Sequence, residues 1–102
     1  MTPFLGHNYI GSQRSAHGST KLQSIDANTG EALPQDFYQA TAQEVDAAAQ
    51  AAAQAYPAYR ALSAARRAQF LDAVADELDA LGDDFVELVC RETALPAARI
   101  KG

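Results

Sequence analysis

The stretch from Thr41 to Pro96 holds nearly all of the regular apolar spacing in this sequence of 102 residues. It opens on Thr-Ala-Gln-Glu, a pattern in which a threonine hydroxyl and a glutamate three residues later cap a helix reciprocally. Apolar residues then recur at the spacing of one helical face, and Pro57 predicts that this helix bends or ends near Tyr56. The predicted buried face comprises Val45, Ala48, Ala49, Ala52 and Tyr56, with Gln43, Asp46, Gln50 and Gln54 facing outwards.

A second helix is predicted to begin at Ser63, whose hydroxyl can cap it, and to run to Leu81. Large apolar residues alternate three and four apart along this segment and beyond it, which is typical of a face that packs against another helix. The alternating residues are Leu71, Val74, Leu78, Leu81, Phe85 and Leu88.

A break after the second helix is predicted at Gly82, because glycine is unfavourable inside a helix and common just past its end. We expect a third helix over 83–93, capped by Asp83 or Asp84. Pro96 is expected in the first turn of a short fourth helix.

The first forty residues are rich in Gly, Ser, Asn, Gln and His, which favours short strands joined by turns. Turns are predicted at Gly11-Ser12 and at Asn28-Thr29-Gly30, and Pro34 should limit any pairing around it. A few short strands are marginal alone in water, so we expect them to lie against another chain or domain. The alternative is a disordered leader, which the apolar content disfavours. The predicted strands are 8–10, 20–25, 31–33 and 37–39.

The predicted fold class is therefore α+β, with strands over 1–40 and a bundle of three to four helices over 41–102. Hydrophobic residues make up 48% of the chain, but many are alanines, so a core would depend on few large side chains. The net charge of −5 disfavours nucleic acid and anionic membranes. One cysteine, no leader pattern and no long apolar run favour a cytoplasmic protein that does not span a membrane.

No residue of this chain is predicted to be catalytic, cofactor-binding or metal-binding. Cys90 lies within a predicted helix, and no histidine follows it or precedes it in the second half of the chain to act as its base, so a structural role is favoured. The other candidates, two histidines and two acidic pairs, lack the spacing of metal ligands. The sequence also contains no glycine-rich phosphate loop and no nucleophile elbow. These candidates are His7, His17, and the acidic pairs Asp76-Glu77 and Asp83-Asp84.

Four short motifs follow one another in a fixed order. They are Asp-Ala-Asn-Thr-Gly-Glu at 26–31, Glu-Val ahead of alternating alanines from 44, Arg-Ala-Gln-Phe-Leu at 67–71, and Glu-Thr-Ala-Leu-Pro at 92–96. In this order they resemble the amino-terminal part of the NAD(P)-dependent aldehyde dehydrogenases, over most of the chain from about Asn8 to Gly102.

Several residues depart from that family's pattern. The family's Asn-Pro-x-Thr-Gly turn lacks its proline here, and Tyr59, ahead of Leu62, replaces a usual tryptophan. In the family's Glu-x-Gly-Lys-Pro motif, Ala94 replaces the glycine and Leu95 replaces the lysine here. Glu-Thr-x-Leu-Pro followed by Ala-Arg-Ile-Lys-Gly is similar to the branch that oxidises α-ketoglutaric semialdehyde (2,5-dioxovalerate) and to related fatty-aldehyde enzymes, a branch that tends to prefer NADP.

The resemblance implies a larger α/β enzyme with a doubly wound cofactor domain, a catalytic domain and a β-ribbon for oligomerisation. Residues 1–40 would lie near the ribbon and 41–102 would pack on the cofactor domain. The catalytic cysteine, the general base and the contacts to NADP or NAD come later in such enzymes, and none maps onto this chain, Cys90 included. The implied partners are the rest of the enzyme and further copies of it. A different class, a stand-alone helical module that self-associates through its alternating face, remains open.

Overall fold

A computed structural model describes residues 4–102, which form four strands and four helices. The predicted α+β class is therefore confirmed. The strands are β1 (Asn8–Ile10), β2 (Gln13–Ser15), β3 (Lys21–Ile25) and β4 (Ala32–Tyr38). The helices are α1 (Ala42–Arg60), α2 (Ala64–Asp79), α3 (Gly82–Thr93) and α4 (Ala97–Lys101).

Two compact units divide the chain, and each is built from two separate stretches. The first unit contains the residues up to Ser24 together with Leu33–Ala61, and the second contains Ile25–Ala32 together with Leu62–Gly102. The chain thus passes from one unit to the other within the β3–β4 hairpin and again after α1.

In the first unit, β1 and β2 form an antiparallel hairpin that sequence reasoning found only in part. The predicted strand at 8–10 and the turn after it are confirmed, and Gly11 supplies a positive φ of 60°. The second strand was not predicted, because Gln-Arg-Ser lacks the apolar alternation of a half-buried strand. Three residue pairs align the two strands: Asn8 with Ser15, Tyr9 with Arg14, and Ile10 with Gln13.

Strand β4 corrects the prediction of two short strands at 31–33 and 37–39. It is one strand of seven residues that pairs with β3 in a separate sheet of two strands. Pro34 lies inside it, which such a sheet tolerates because each of its strands has an edge that needs no amide donor. Gly6 bridges to Phe37 in a parallel sense, and the Tyr38 amide donates to the Gly6 carbonyl at 2.9 Å.

The capping box at the start of α1 is confirmed. The Glu44 amide donates to the Thr41 hydroxyl at 3.1 Å, and the Glu44 carboxylate accepts from the Thr41 amide at 3.0 Å. Of the predicted bend or end near Tyr56, the end is wrong, since α1 continues through Pro57 to Arg60. Pro57 lies three residues before the end of the helix, and it has no amide to donate to the carbonyl of Ala53.

The predicted buried face of α1 is also wrong apart from Ala48. Glu44 is buried, Ala48 and Ala51 are half-buried, and Val45 and Tyr56 are each 59% exposed. The inward face is therefore centred on a polar residue, about 100° around the helix from Val45. The spacing of apolar residues along α1 cannot reveal this inward face, because the face depends on which strands the helix contacts.

In the second unit, α2 begins as predicted, with the Ser63 hydroxyl accepting from the Arg66 amide at 3.2 Å. The predicted break is present, and Gly82 has a φ of 77°. Neither aspartate caps α3, however, because the helix already begins at Gly82 and its N-cap is Leu81, without a side-chain cap. Both acidic side chains lie in the first turn instead.

The last helix, α4, follows α3 after a left-handed residue. Ala94 has φ 60° and ψ 17°, the only non-glycine residue with positive φ in the described part of the chain. Pro96 is the N-cap of α4 rather than a first-turn residue. Proline suits this place because its fixed φ, −71° here, directs the chain into a new helix.

Very little apolar side chain is removed from water within this chain. Among residues 4–102, Leu33 is the one apolar residue classed as buried, at 8% exposure. The predicted alternating face of α2 is open, with Leu71 62%, Val74 42% and Leu78 53% exposed. Soluble monomers seldom display this much apolar surface, so these faces are suited to contact with further protein.

Candidate functional site

The most highly organised polar cluster is centred on Glu44, which is only 3% exposed. Its two carboxylate oxygens have different partners. Oε1 accepts from the Thr41 amide, which completes the helix cap, while Oε2 accepts from the Ser15 hydroxyl and, at 3.4 Å, from the His17 amide. One buried carboxylate thus joins the first turn of α1 to the end of β2.

These hydrogen bonds stabilise the charged form of Glu44. The Ser15 hydroxyl contributes most and the Thr41 amide next, and together they lower the pKa of Glu44 from 4.5 to about 2, although burial opposes the shift. The carboxylate is therefore ionised throughout the physiological range. Such a group can hold a structure together, but it cannot act as a proton donor or acceptor near neutral pH.

A second polar arrangement lies at the tip of the β3–β4 hairpin, within the second unit. The Asp26 carboxylate accepts from the amides of Asn28 and Thr29 at 2.8 and 3.2 Å, and Gly30 has a φ of 76°. This is an Asx turn, in which the side chain replaces a backbone partner. The turn at 28–30 is thereby confirmed, although Gly30 rather than Asn28 supplies the positive φ.

Of the residues considered for chemistry, His7 and His17 belong to the first unit and Cys90 to the second. Cys90 is half-buried on α3 and lines a groove of about 490 Å³ together with Val86 and Leu95. His7 packs edge-on against Tyr38, with ring centroids 5.4 Å apart. His17 is exposed, and its backbone amide donates to Glu44 Oε2 at 3.4 Å.

The acidic pairs lie on the surface of α2 and α3. Asp83 forms an ion pair with Lys101 at 3.3 Å, beside a groove of about 560 Å³ whose floor includes Leu78 and Phe85. Over residues 4–102, no group of three or more His, Cys, Asp or Glu side chains is placed to hold a metal ion. No helix in this described range is long and apolar enough to cross a membrane.

Among residues 4–102, no glycine-rich turn of a doubly wound dinucleotide site joins a strand to a helix. Such a site requires a glycine-rich turn between a strand and a helix, with free amides at the start of the helix. Gly82 precedes a helix, but the element before it is another helix, and the first turns of α1 and α2 are already capped by side chains.

The chain belongs to the aldehyde dehydrogenase family, whose pattern it matches over residues 14–102. It is 40% identical over 98 residues to the alpha-ketoglutaric semialdehyde dehydrogenase 2 of Azospirillum brasilense. It is 39% identical over 97 residues to the alpha-ketoglutaric semialdehyde dehydrogenase of Acinetobacter baylyi. Each match covers 95% of this chain and 19% or 18% of the relative, so the chain spans about a fifth of the length of these enzymes. The comparison with solved structures found no match.

These matches confirm the family that the four motifs indicated. Sequence reasoning missed the second role of Glu44, its contact with Ser15, because the two residues are 29 positions apart. The capping pattern identified the half of the network that is local in sequence. One further sequence feature indicated this role: Glu44 lies at helical spacing from Ala48 and Ala51, on the same face of α1.

Proposed function

We propose that this chain is the amino-terminal part of an aldehyde dehydrogenase that oxidises α-ketoglutaric semialdehyde to the corresponding dicarboxylate, with NADP as the hydride acceptor. The family match over 14–102 supports the reaction class. The observation that carries the substrate is that two relatives from different bacteria, about equally similar to the chain, have the same substrate in their names. The Leu-Pro variant of the last motif supports NADP over NAD.

The role of this segment in that enzyme is structural. The reaction removes a hydride from the aldehyde carbon and adds the oxygen of water, which requires a nucleophile, a base and a bound dinucleotide. None of these groups is assigned to residues 4–102. The large exposed side chains on α1 and α2, among them Val45, Tyr56 and Leu71, are instead suited to packing against other parts of a protein.

The arrangement that we propose follows from those exposed faces and the family. Residues 1–40 lie near the oligomerisation ribbon, and 41–102 pack on the cofactor domain. The partners are the remainder of the same enzyme and further copies of it, in the cytoplasm. Negative charge makes nucleic acid an unsuitable partner.

The test is a spectrophotometric assay of the complete protein for reduction of NADP and NAD. We expect the highest kcat/KM with α-ketoglutaric semialdehyde and NADP, and a lower value with a straight-chain aldehyde of equal length that lacks the terminal carboxylate. Equal rates for the two aldehydes would contradict the substrate, and faster reduction of NAD would contradict the cofactor. No reduction with any short aldehyde would contradict the enzyme itself.

A second candidate is a helical module that self-associates without catalysis, which the open face of α2 favours. Leu71, Val74, Leu78 and Leu81 are between 41% and 62% exposed along this face. If the chain were such a module, sedimentation would show a dimer or larger species at micromolar concentration, and Leu78→Asp would abolish it. A monomer that Leu78→Asp leaves unchanged would contradict the module.

A further inference from the structure

The β1–β2 hairpin contacts α1 through β1, and its side-chain hydrogen bonds to the rest of the first unit lie at its base. Each strand has three residues, the two strands form a sheet of their own, and Tyr9 is 68% exposed. Hairpins of two short strands are marginal in water without external contacts. The order of this hairpin therefore depends on the groups that attach it to the rest of the first unit.

Those attachments converge on one pair of residues that face each other across the hairpin. Asn8 and Ser15 are register partners at its open end. The Asn8 amide side chain donates to the Tyr38 carbonyl at 3.3 Å, and the Ser15 hydroxyl donates to Glu44. The other end, at Gly11 and Ser12, is exposed. The hairpin is thus fixed at its base and free at its tip.

Of the two attachments, the one at Glu44 is the stronger by its chemistry. It is charge-assisted and it is shielded from water, whereas the bond at Asn8 joins two neutral groups near the limit of hydrogen-bond length. The two carboxylate oxygens have separate roles: Oε1 accepts the hydrogen bond of the helix cap, and Oε2 accepts the hydrogen bond from the hairpin.

We propose that Glu44 Oε2 and the Ser15 hydroxyl form a latch that holds the β1–β2 hairpin as a strap against α1, and that the hairpin opens locally when this contact is lost. The helix cap survives that opening, because Oε1 and the Thr41 hydroxyl keep their partners. This inference does not rest on the proposed function, since it concerns only contacts within the first unit.

Hydrogen exchange read by mass spectrometry on the complete protein tests the latch. In Ser15→Ala we expect amides of residues 8–15 to exchange about tenfold faster, as loss of one charge-assisted hydrogen bond implies. Amides of the first two turns of α1 should keep their wild-type rates. Ser12→Ala is the matched control, because Ser12 is an exposed serine at the hairpin tip, and it should leave the rates over 8–15 unchanged.

Two further variants make the result decisive. Ser15→Thr retains the hydroxyl and should retain most of the protection. Glu44→Gln retains an oxygen for the Thr41 amide, but its uncharged NH2 group gives Ser15 no charge-assisted bond and cannot accept from the His17 amide. It should therefore loosen the hairpin, and Ser15→Ala should add little to it. Unchanged rates over 8–15 in Ser15→Ala would overturn the proposal. So would a variant in which the hairpin and α1 open together, or one that fails to fold.

Discussion

The backbone amide of Ala27 donates to the carbonyl of Arg91 at 2.8 Å. Arg91 lies in the last turn of α3, where carbonyls have no partner within the helix. The tip of the β3–β4 hairpin therefore caps the carboxyl end of α3. Ala27 stands where the family's turn has proline, and proline has no amide hydrogen to donate.

The first prediction concerns this cap. Ala27→Pro restores the family's residue and removes the donor, so we expect it to lower the free energy of unfolding by about 1 kcal/mol. Ala27→Ser retains the amide and is the control. Chemical denaturation of the two variants measures the difference. Equal midpoints for the two variants would show that the contact with Arg91 contributes nothing.

The second prediction concerns Ala94, which occupies the left-handed region with a φ of 60°. A side chain in this region costs about 1–2 kcal/mol, and glycine avoids that cost. We therefore expect Ala94→Gly, which also restores the family's residue, to raise the melting temperature.

The matched control for Ala94→Gly is the same exchange at Ala73, within α2. Glycine inside a helix is unfavourable by about 1 kcal/mol, so Ala73→Gly should lower the melting temperature. If both exchanges lowered it, the left-handed geometry of Ala94 would not be the source of strain that we infer.

The features that sequence reasoning predicted correctly are those whose physical cause is local. The cap at Thr41, the cap at Ser63, the turn at Gly30 and the break at Gly82 each depend on residues within four positions of one another. Side-chain hydrogen bonds and positive φ angles of this kind are encoded by single residues, so the sequence displays them directly.

The features that it predicted wrongly depend on partners distant in sequence. The inward face of α1 is set by the contact of Glu44 with Ser15, and β4, which contains Pro34, is a single strand in a sheet with β3. The alternating face of α2 stays a predicted packing surface, and Leu78 and its neighbours are open in this chain. Apolar periodicity predicts that a face is suited to burial, and it does not predict what covers it.

The third prediction is a pH dependence that arises at Glu44. Hydrogen bonds from Ser15 and then Thr41 lower the pKa of this carboxylate to about 2, below its ordinary value of 4.5. The unfolded state therefore binds a proton first as the pH falls. The stabilisation is fully present above pH 4.5 and is lost as the pH falls towards about 2.

Urea midpoints between pH 6 and pH 2.5 measure this effect. Wild type should lose stability over that range more steeply than Glu44→Gln, whose side chain does not titrate. Gln43→Ala changes the neighbouring exposed residue without changing charge, and it should follow wild type. Parallel curves for wild type and Glu44→Gln would contradict the ionised, hydrogen-bonded carboxylate.

The fourth prediction tests the proposal that the open face of α2 is covered by other parts of a larger enzyme. Leu78 is 53% exposed, so Leu78→Asp should change the stability of residues 1–102 alone by no more than about 0.5 kcal/mol. If the proposed packing on the cofactor domain holds, the same aspartate is buried without a partner in the complete enzyme, which costs about 2 kcal/mol or more. Thermal unfolding of both forms measures the contrast, with Glu77→Gln as the exposed control beside it on α2. A small effect in both forms would show that this face of α2 is open in the whole enzyme too, and the proposed packing of 41–102 on the cofactor domain would then be wrong at α2.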